Sequence, residues 1–270
     1  MSPGRYGRWL FLLPLPFILT CWQARAYFPF VTDDTGTQGT GGQQFEFDYS
    51  FNKERGDVLD EDGRIIDSVS GNSNAFPVTY TYGLSEDFDI FIGVARQVSP
   101  VSGWQNTEIG LKWVFAGGQT EGWSAALKPT IIIPVTQTMQ DSGLGNASLN
   151  GSINLIASYL SDSHEVHFNL GYTSNRFVSN GASDNQRSNL WNISIAPIIV
   201  LNPNWKLGLD VGFQTNPDYN SGYQAFGGIG VQYAPVKNLQ IGLGLFATPA
   251  LNANANQWAY TINAGITLQF

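Results

Sequence analysis

The two histidines of the chain are the first candidates for catalysis, because hydrolytic chemistry commonly needs a base beside a nucleophile. They are His164 and His167, and Ser163 and Glu165 flank the first of them. His164 falls in a predicted turn, and neighbours in a turn do not by themselves make a triad, which also needs an orienting group. His167 lies at the end of a predicted strand. The sequence therefore predicts no catalytic residue.

Metal and cofactor motifs are the next possibility. The run Asp60-Glu61-Asp62-Gly63 is acidic, but alignment of Gly63 with the turn glycine of a calcium loop places Val58 and Val69 at its first and last ligand positions. The single cysteine, Cys21, excludes a disulfide framework and a cysteine-ligated zinc or iron–sulfur site. No phosphate loop, dinucleotide fingerprint or zinc-protease motif occurs. The sequence predicts no metal and no cofactor.

A set of charged residues shares a different property, because each falls between apolar residues of a predicted strand. The set consists of Glu46, Asp48, Asp89, Glu108, Lys112, Lys128, Lys206 and Asp210. Alternating side chains of a strand point to opposite faces, so these charges share the face away from the apolar side chains. They are candidates for lining a pathway for small polar or aromatic solutes. The alternative is that they are solvated wall residues paired across strands.

The elements that carry these charges are predicted from a period of two in the sequence. In 205–214, for example, apolar residues alternate with polar ones and glycine, whereas a helix would scramble the two faces. We predict twelve strands, at 43–52, 76–84, 88–97, 105–116, 123–135, 146–159, 165–175, 188–200, 205–214, 222–234, 238–248 and 257–270. Connections after even strands are short, and those after odd strands are longer. The longest is an acidic loop from Lys53 to Ala75.

This pattern predicts an all-β fold, a transmembrane antiparallel up-and-down β-barrel of about 12 strands. An even strand number, strands near ten residues, short turns at one end and longer loops at the other are typical of bacterial outer-membrane barrels. The mature chain has no run of 18 apolar residues, so strands are the remaining way to satisfy its backbone in lipid.

A soluble sandwich or lipocalin-like barrel is the alternative fold, with its polar face towards water. The polar face here is rich in glycine, serine, threonine and asparagine, which suits a lumen better. Aromatic residues near strand ends on the apolar face match the girdles of membrane barrels, although they would also fit a packed core. They are Tyr82, Trp123, Tyr159, Trp205, Tyr233 and Trp258.

The composition agrees with a membrane location and argues against a nucleic-acid partner. Of the 270 residues, 43% are hydrophobic and only 13% charged, roughly half the charged fraction of an ordinary soluble domain. The formal net charge is −8, whereas nucleic-acid binding relies on a basic surface.

Residues 1–26 are predicted to be a signal peptide. Arg5 and Arg8 precede an uncharged run from Trp9 to Trp22, and cleavage is expected after Ala26. The run is too short for a spanning helix, which needs about 20 apolar residues. Residues 27–42, before the barrel at 43–270, are a periplasmic N-terminal tail or a plug segment. Their content of glycine, threonine and aspartate favours a flexible tail.

The carboxy terminus carries a predicted assembly signal. Asn263, Gly265, Leu268 and Phe270 supply a polar residue, a glycine, an apolar residue and a terminal aromatic residue at the end of the last strand. This pattern resembles the signal by which outer-membrane barrels are recognised for assembly. The barrel-assembly machinery is therefore an expected partner.

Three stretches resemble the family of the MetA-pathway of phenol degradation. They are Phe28-Pro29-Phe30-Val31-Thr32-Asp33-Asp34-Thr35-Gly36-Thr37, Phe45-Glu46-Phe47-Asp48-Tyr49 and Tyr80-Thr81-Tyr82-Gly83-Leu84-Ser85-Glu86-Asp87-Phe88-Asp89. Members of this family are often called outer-membrane transporters. The resemblance implies uptake of aromatic compounds, and it carries over no functional residue.

The expected function is an outer-membrane channel through which small compounds of aromatic or hydrophobic character diffuse passively. The first alternative is a structural or adhesive barrel without transport, and a less favoured one is an outer-membrane lipid-modifying enzyme. The expected location is the outer membrane of a Gram-negative bacterium. Expected partners besides the solute and the assembly machinery are outer-membrane lipids and lipopolysaccharide.

Overall fold

The computed structural model describes residues 27–59, 65–118, 120–178, 186–217, 219, 222–249 and 258–270. The predicted signal peptide lies outside the described residues. The strands are β1 (Gln43–Leu59), β2 (Ile65–Ser85), β3 (Phe88–Ser99), β4 (Gly103–Trp104), β5 (Thr107–Ala116), β6 (Gly122–Ile133), β7 (Asn150–Leu160), β8 (His164–Ser174), β9 (Asn189–Asn202), β10 (Trp205–Thr215), β11 (Tyr223–Val236), β12 (Leu239–Pro249) and β13 (Trp258–Gln269). One short helix, α1 (Gln137–Asp141), lies between β6 and β7.

The strands form one closed antiparallel sheet. Consecutive strands pair, and the first strand closes the wall by pairing with the last, with Gln44 opposite Gln269 and Arg55 opposite Trp258. The two-residue β4 pairs with β3 next to β5 and continues the line of that strand. The wall therefore consists of twelve long strands, which confirms the predicted barrel and its strand number.

The prediction of an acidic loop from Lys53 to Ala75 is wrong over most of the length of this segment. β1 continues to Leu59 and β2 already begins at Ile65, with Lys53 opposite Asn72 and Arg55 opposite Ser70. Residues 53–55 and 70–74 include no apolar side chain on either side of the ribbon, so the alternation from which strands are predicted is absent there. The tip, residues 60–64, lies outside the described residues, and it contains the whole acidic run that was compared with a calcium loop.

The two faces of the wall have opposite chemistry. On β10, Leu207, Leu209 and Phe213 are 44 to 54% exposed on the outer face, whereas Asp210 between them is fully buried. Aliphatic and aromatic side chains are similarly exposed along the other strands. An apolar exterior of this extent matches the lipid-facing band of an outer-membrane barrel.

The aromatic residues predicted near the strand ends lie on this outer face. Trp123 is 69% exposed and contacts Tyr159, and Trp205 stacks on Tyr233 across the β10–β11 pair. Within the described residues, no helix is long and apolar enough to cross a membrane.

Candidate functional site

The lumen contains the N-terminal segment, residues 27–42. Phe28 and Phe30 are 1% exposed and Thr32 is fully buried. The segment contacts β11 and β12 with its aromatic residues, crosses to β10 through Thr32, and ends near β3, where Gln38 donates its backbone N–H to Asp89. The composition favoured a flexible tail, but the segment lies in the lumen. Its polar groups have their hydrogen-bond partners on the inner wall.

Glycines on the wall make room for the aromatic residues of the N-terminal segment. A Cβ atom at Gly242 would lie 2.4 Å from Cδ1 of Phe28, and one at Gly230 would lie 2.7 Å from Cε1 of Phe30. Carbon atoms do not approach so closely without displacement. The inward glycines of β11 and β12 thus form a floor on which two phenylalanine rings lie.

Asp210 anchors the middle of the segment. Its carboxylate accepts hydrogen bonds from the backbone N–H groups of Val31, at 2.6 Å, and Thr32, at 2.9 Å, and from the Thr32 hydroxyl, at 2.6 Å. Hydrogen bonds to an ionised acceptor are stronger than neutral ones. Asp210 was predicted to lie on the inner face, and the structure adds its partners.

Asp33 brings two of the predicted lumen residues together. Its Oδ1 lies 3.1 Å from the Lys112 ammonium and its Oδ2 lies 2.7 Å from that of Lys128. Lys112 also donates to the backbone oxygens of Asp34, at 3.0 Å, and Gly36, at 3.1 Å. Burial by itself would raise the pKa of Asp33, but the two ammonium groups outweigh it and the pKa is lowered.

Lys206, a further predicted residue, lies at the start of the segment. It donates to Glu165 at 2.7 Å and to the Tyr27 hydroxyl at 3.1 Å, while Tyr27 donates to Glu165. The Tyr27 ring also lies 4.6 Å from the ring of His167. This polar group ties the beginning of the described chain to the inner surface of β8 and β10.

Ser158, His167 and Glu165 lie side by side inside the barrel, and this group of potentially catalytic residue types was not predicted from the sequence. His167 Nδ1 lies 2.8 Å from the Ser158 hydroxyl, and His167 Nε2 lies 3.5 Å from the Glu165 carboxylate. The Ser158 oxygen also accepts the backbone N–H of Thr35, at 3.1 Å. Ser158 and His167 are fully buried, so the serine is covered by the segment and lacks the access that a nucleophile needs. Ser158 and His167 occupy inward positions on neighbouring strands, nine residues apart. This spacing is the signal in the sequence from which the pair could have been predicted.

The remaining predicted lumen residues, Glu46, Asp48 and Glu108, are all buried on inner strand positions. Asp48 packs against β13, where a Cβ at Gly265 would lie 2.2 Å from its Oδ1. Glu46 borders a cavity of about 20 Å³ between the N-terminal segment and the wall. The cavity is lined by Gly36, Gln38, Gln44, Glu46, Thr79, Thr81, Asp89, Phe91, Lys112 and Lys128.

The residues of the predicted assembly signal lie on β13 and just after it. Asn263 is fully buried, Leu268 is half-buried and Phe270 is 70% exposed. The Phe270 backbone N–H donates to the Gln43 oxygen at 2.9 Å, and Gln43 N–H donates back at 3.2 Å. The last residue thus belongs to the seam that closes the barrel, while its role as a signal stays a prediction.

In the described part of the chain, no group of three or more histidine, cysteine, aspartate and glutamate side chains could hold a metal ion.

Solved structures of outer-membrane channels share the fold. The COG4313 outer membrane channel from Pseudomonas putida F1 superposes with a TM-score of 0.60 at 10% identity, over 88% of this chain and 98% of that one. The NanC porin gives 0.55 at 7% identity, over 80% and 98%. A mutant of the TodX monoaromatic hydrocarbon channel gives 0.52 at 10% identity, over 88% and 92%. The barrel, with its apolar exterior, is thus an outer-membrane barrel.

No curated protein matches the sequence. The family model described as "Putative MetA-pathway of phenol degradation" matches residues 69–268. These residues begin near the start of β2 and end near the end of β13. They include every long strand except β1, in full or in large part. The chain belongs to this family of the MetA-pathway of phenol degradation.

Proposed function

We propose that this protein is an outer-membrane channel for small, aromatic or hydrophobic, compounds. The observation that carries the proposal is a twelve-stranded lumen that encloses the N-terminal segment, which side chains of the wall hold in place. Twelve strands enclose more space than eight, whose interior side chains can fill, and less than the sixteen to eighteen of a wide porin. The family name and the TodX monoaromatic hydrocarbon channel support this solute class.

The N-terminal segment acts as the barrier in this proposal. Between Val31 and Gln38 it is held by side chains of the wall, among them Asp210, Lys112 and Asp89. Side-chain hydrogen bonds and ion pairs exchange with water more easily than a strand ladder, so the segment can shift without opening the barrel. A solute then passes where the segment has moved, from the side of the short turns to the side of the longer loops or in the reverse direction.

Catalysis is not part of the proposed function. The Ser158–His167–Glu165 group is the arrangement closest to a catalytic one in the described residues, and its serine oxygen is engaged by Thr35. We assign this group to holding the segment. Replacement of Ser158 by alanine should therefore leave any residual esterase activity of the purified protein unchanged.

Solute entry into liposomes tests the proposal. Purified protein in liposomes should admit benzoate faster than protein-free liposomes do, and a variant that lacks residues 28–38 should admit it faster still. Folded barrel is verified in each preparation by its altered gel migration before and after boiling. If neither protein admits solute although both are folded, the structural or adhesive alternative replaces the channel.

A further inference from the structure

The inner wall of β12 holds the Phe28 ring in a hollow over a glycine residue. A Cβ atom at Gly242 would lie 2.4 Å from Cδ1 and 2.6 Å from Cε1 of this ring. Phe28 is buried, but it belongs to the N-terminal segment and not to the wall. We call the space over Gly242 that its ring fills the Phe28 hollow. The hollow therefore has the size of one phenyl ring.

The same arrangement of a ring over a glycine recurs further along this side of the lumen. The Phe246 ring lies over Gly228, where a Cβ would be 2.3 Å from its Cδ1, and the Phe226 ring lies over Gly212, where a Cβ would be 2.6 Å from its Cε1. Both rings are buried. These two phenylalanines belong to the strands themselves. Of the three rings, that of Phe28 is the one that a solute can replace without a change in the wall.

A glutamine amide beside the Phe28 hollow has an acceptor without a donor. Gln232 lies opposite Gly242 in the β11–β12 pair and is 2% exposed. Its Nε2 donates to the Phe28 backbone oxygen at 2.6 Å, and this bond fixes the orientation of the amide, because its own oxygen cannot donate. Its Oε1 is buried and has no hydrogen-bond partner. Burial of an unpaired acceptor is unfavourable, so the position suits a ligand that brings a donor.

An aromatic ring that carries a hydroxyl group meets both requirements. The ring fits the place of the Phe28 ring, and the hydroxyl can donate to Oε1 of Gln232. Gln240 also donates to the Phe28 backbone oxygen, at 3.1 Å. When the segment moves away, the amide N–H groups of both glutamines lose this oxygen and can donate to the hydroxyl instead, since a hydroxyl also accepts. A plain hydrocarbon ring fills the hollow but leaves Oε1 unpaired.

We propose that the Phe28 hollow is a binding site for phenols, with the ring of the solute over Gly242 and its hydroxyl at the Gln232 amide. The site names a solute class for the proposed channel and rests on that function only for passage across the membrane. The Phe28 ring occupies the place of the solute ring, so binding of a phenol competes with binding of the N-terminal segment to the wall.

Calorimetric binding to the full-length protein in detergent tests the site, with phenol, anisole and toluene as probes. All three carry one benzene ring, but anisole lacks the donor and toluene lacks the oxygen. Phe28→Ala opens the hollow, so this variant should bind phenol at least about tenfold more tightly than the wild type does. It should also bind phenol about tenfold more tightly than anisole or toluene, because those probes leave Oε1 of Gln232 unpaired.

Three further substitutions in the Phe28→Ala variant assign the contacts. Gln232→Leu should lower the affinity for phenol to that for toluene and leave the affinity for toluene unchanged. Gly242→Ala places a Cβ in the hollow and should weaken binding of all three probes. Gln224→Leu is the matched control, because it makes the same substitution at another buried glutamine of β11, which accepts from Gln214 at 3.1 Å. It should bind as Phe28→Ala alone does.

Two results overturn the site. One is equal affinities of folded Phe28→Ala for phenol and toluene, and the other is equal affinities of Phe28→Ala and the wild type for phenol. If Gln232→Leu does not fold, the comparison of phenol with anisole decides in its place. If Phe28→Ala does not fold, protease cleavage of the wild-type segment decides, because phenol should accelerate it more than toluene does, and equal rates overturn the site.

The outcomes also separate the site from the channel. Preferential binding of phenol without benzoate entry into liposomes retains the site and rejects the channel. Benzoate entry without a preference for phenol in Phe28→Ala does the reverse.

Discussion

At the scale of residues, Asp33 is the ion-pair centre between the N-terminal segment and the wall. Asp33→Asn removes the negative charge that bridges Lys112 and Lys128. Breaking a buried ion pair by removing one partner costs about 3–5 kcal/mol, so the segment should be held less firmly. We expect conductance in planar bilayers to rise several-fold.

Asp34→Asn is the matched control for this variant. Its carboxylate lies 3.4 Å from Lys112 and is more exposed than that of Asp33, so its loss should change conductance little. Wild-type conductance of Asp33→Asn would contradict the assigned role of this ion pair.

The two lysines lead to a second prediction. Lys112→Gln combined with Lys128→Gln leaves the acidic residues of the lumen without their main countercharge, so the pathway should favour cations. Reversal potentials in planar bilayers under a salt gradient should shift towards the cation potential. Lys206→Gln, at the Tyr27 end, removes one charge further from the cavity and should shift them less. Unchanged potentials in the double variant would remove these lysines from the pathway.

The inward positions of the charged residues could be predicted from the sequence, but their partners could not. The period of two places Lys112 and Asp210 on one face of their strands whatever lies opposite. Asp33, however, lies 79 residues before Lys112 and 95 before Lys128, in a stretch without regular periodicity. Only the closed wall brings these residues together, so no local pattern contained the pairing.

At the scale of elements, the glycine floor of β11 and β12 determines where the segment lies. Gly242→Ala places a Cβ 2.4 Å from the Phe28 ring, so the ring must move, while alanine is readily accommodated in the strand. We expect that Gly242→Ala still folds into a barrel, and that added protease cleaves its N-terminal segment faster than that of the wild type. Gly227→Ala is the control, because its Cβ would make an ordinary contact at 3.6 Å with Val211. Equal cleavage of the two variants would show that Phe28 is not a required contact.

The last strand carries another prediction. Deletion of Phe270 removes the terminal aromatic residue of the predicted assembly signal and two backbone hydrogen bonds with Gln43 at the closing seam. The amount of heat-modifiable barrel in the membrane fraction should fall. Phe270→Tyr keeps an aromatic residue and the backbone bonds, so it should assemble normally. Normal assembly of the deletion variant would mean that the carboxy terminus is not used in this way.

Strand positions could be predicted in the parts of the strands that have one apolar, lipid-facing side. They were not predicted in the parts that are polar on both sides. Most of the predicted strands in the apolar belt agree with the structure to within a few residues. The upper part of the β1–β2 hairpin, around Lys53 and Asn72, continues beyond the belt with polar residues on both faces. Its backbone pairing persists there without the hydrophobic alternation that marks a strand in the sequence.

At the scale of the whole molecule, the apolar exterior and the closed wall predict behaviour on fractionation. The protein should be recovered with the outer membrane and migrate differently on gels before and after boiling. A soluble periplasmic protein of similar size, followed in the same fractions, serves as the control. Recovery in the soluble fraction without a migration shift would contradict the membrane barrel.

The barrel as a whole was predictable, whereas its contents were not. Repeated amphipathic strands determine a closed wall because every backbone group must be paired in lipid. The N-terminal segment has the composition of a flexible tail, since glycine, threonine and aspartate usually meet water. Here a polar lumen takes the place of water, and composition does not distinguish the two environments.

The contacts between the N-terminal segment and the wall also join distant parts of the chain. Thr32 bonds to Asp210, 178 residues later, and β1 pairs with β13 to close the ring. Contacts of such long sequence separation form slowly. We therefore expect the segment to take its place in the lumen after the wall has closed, so that a newly closed barrel is first open to water. Rapid assembly at high expression should therefore make the cell envelope transiently leaky.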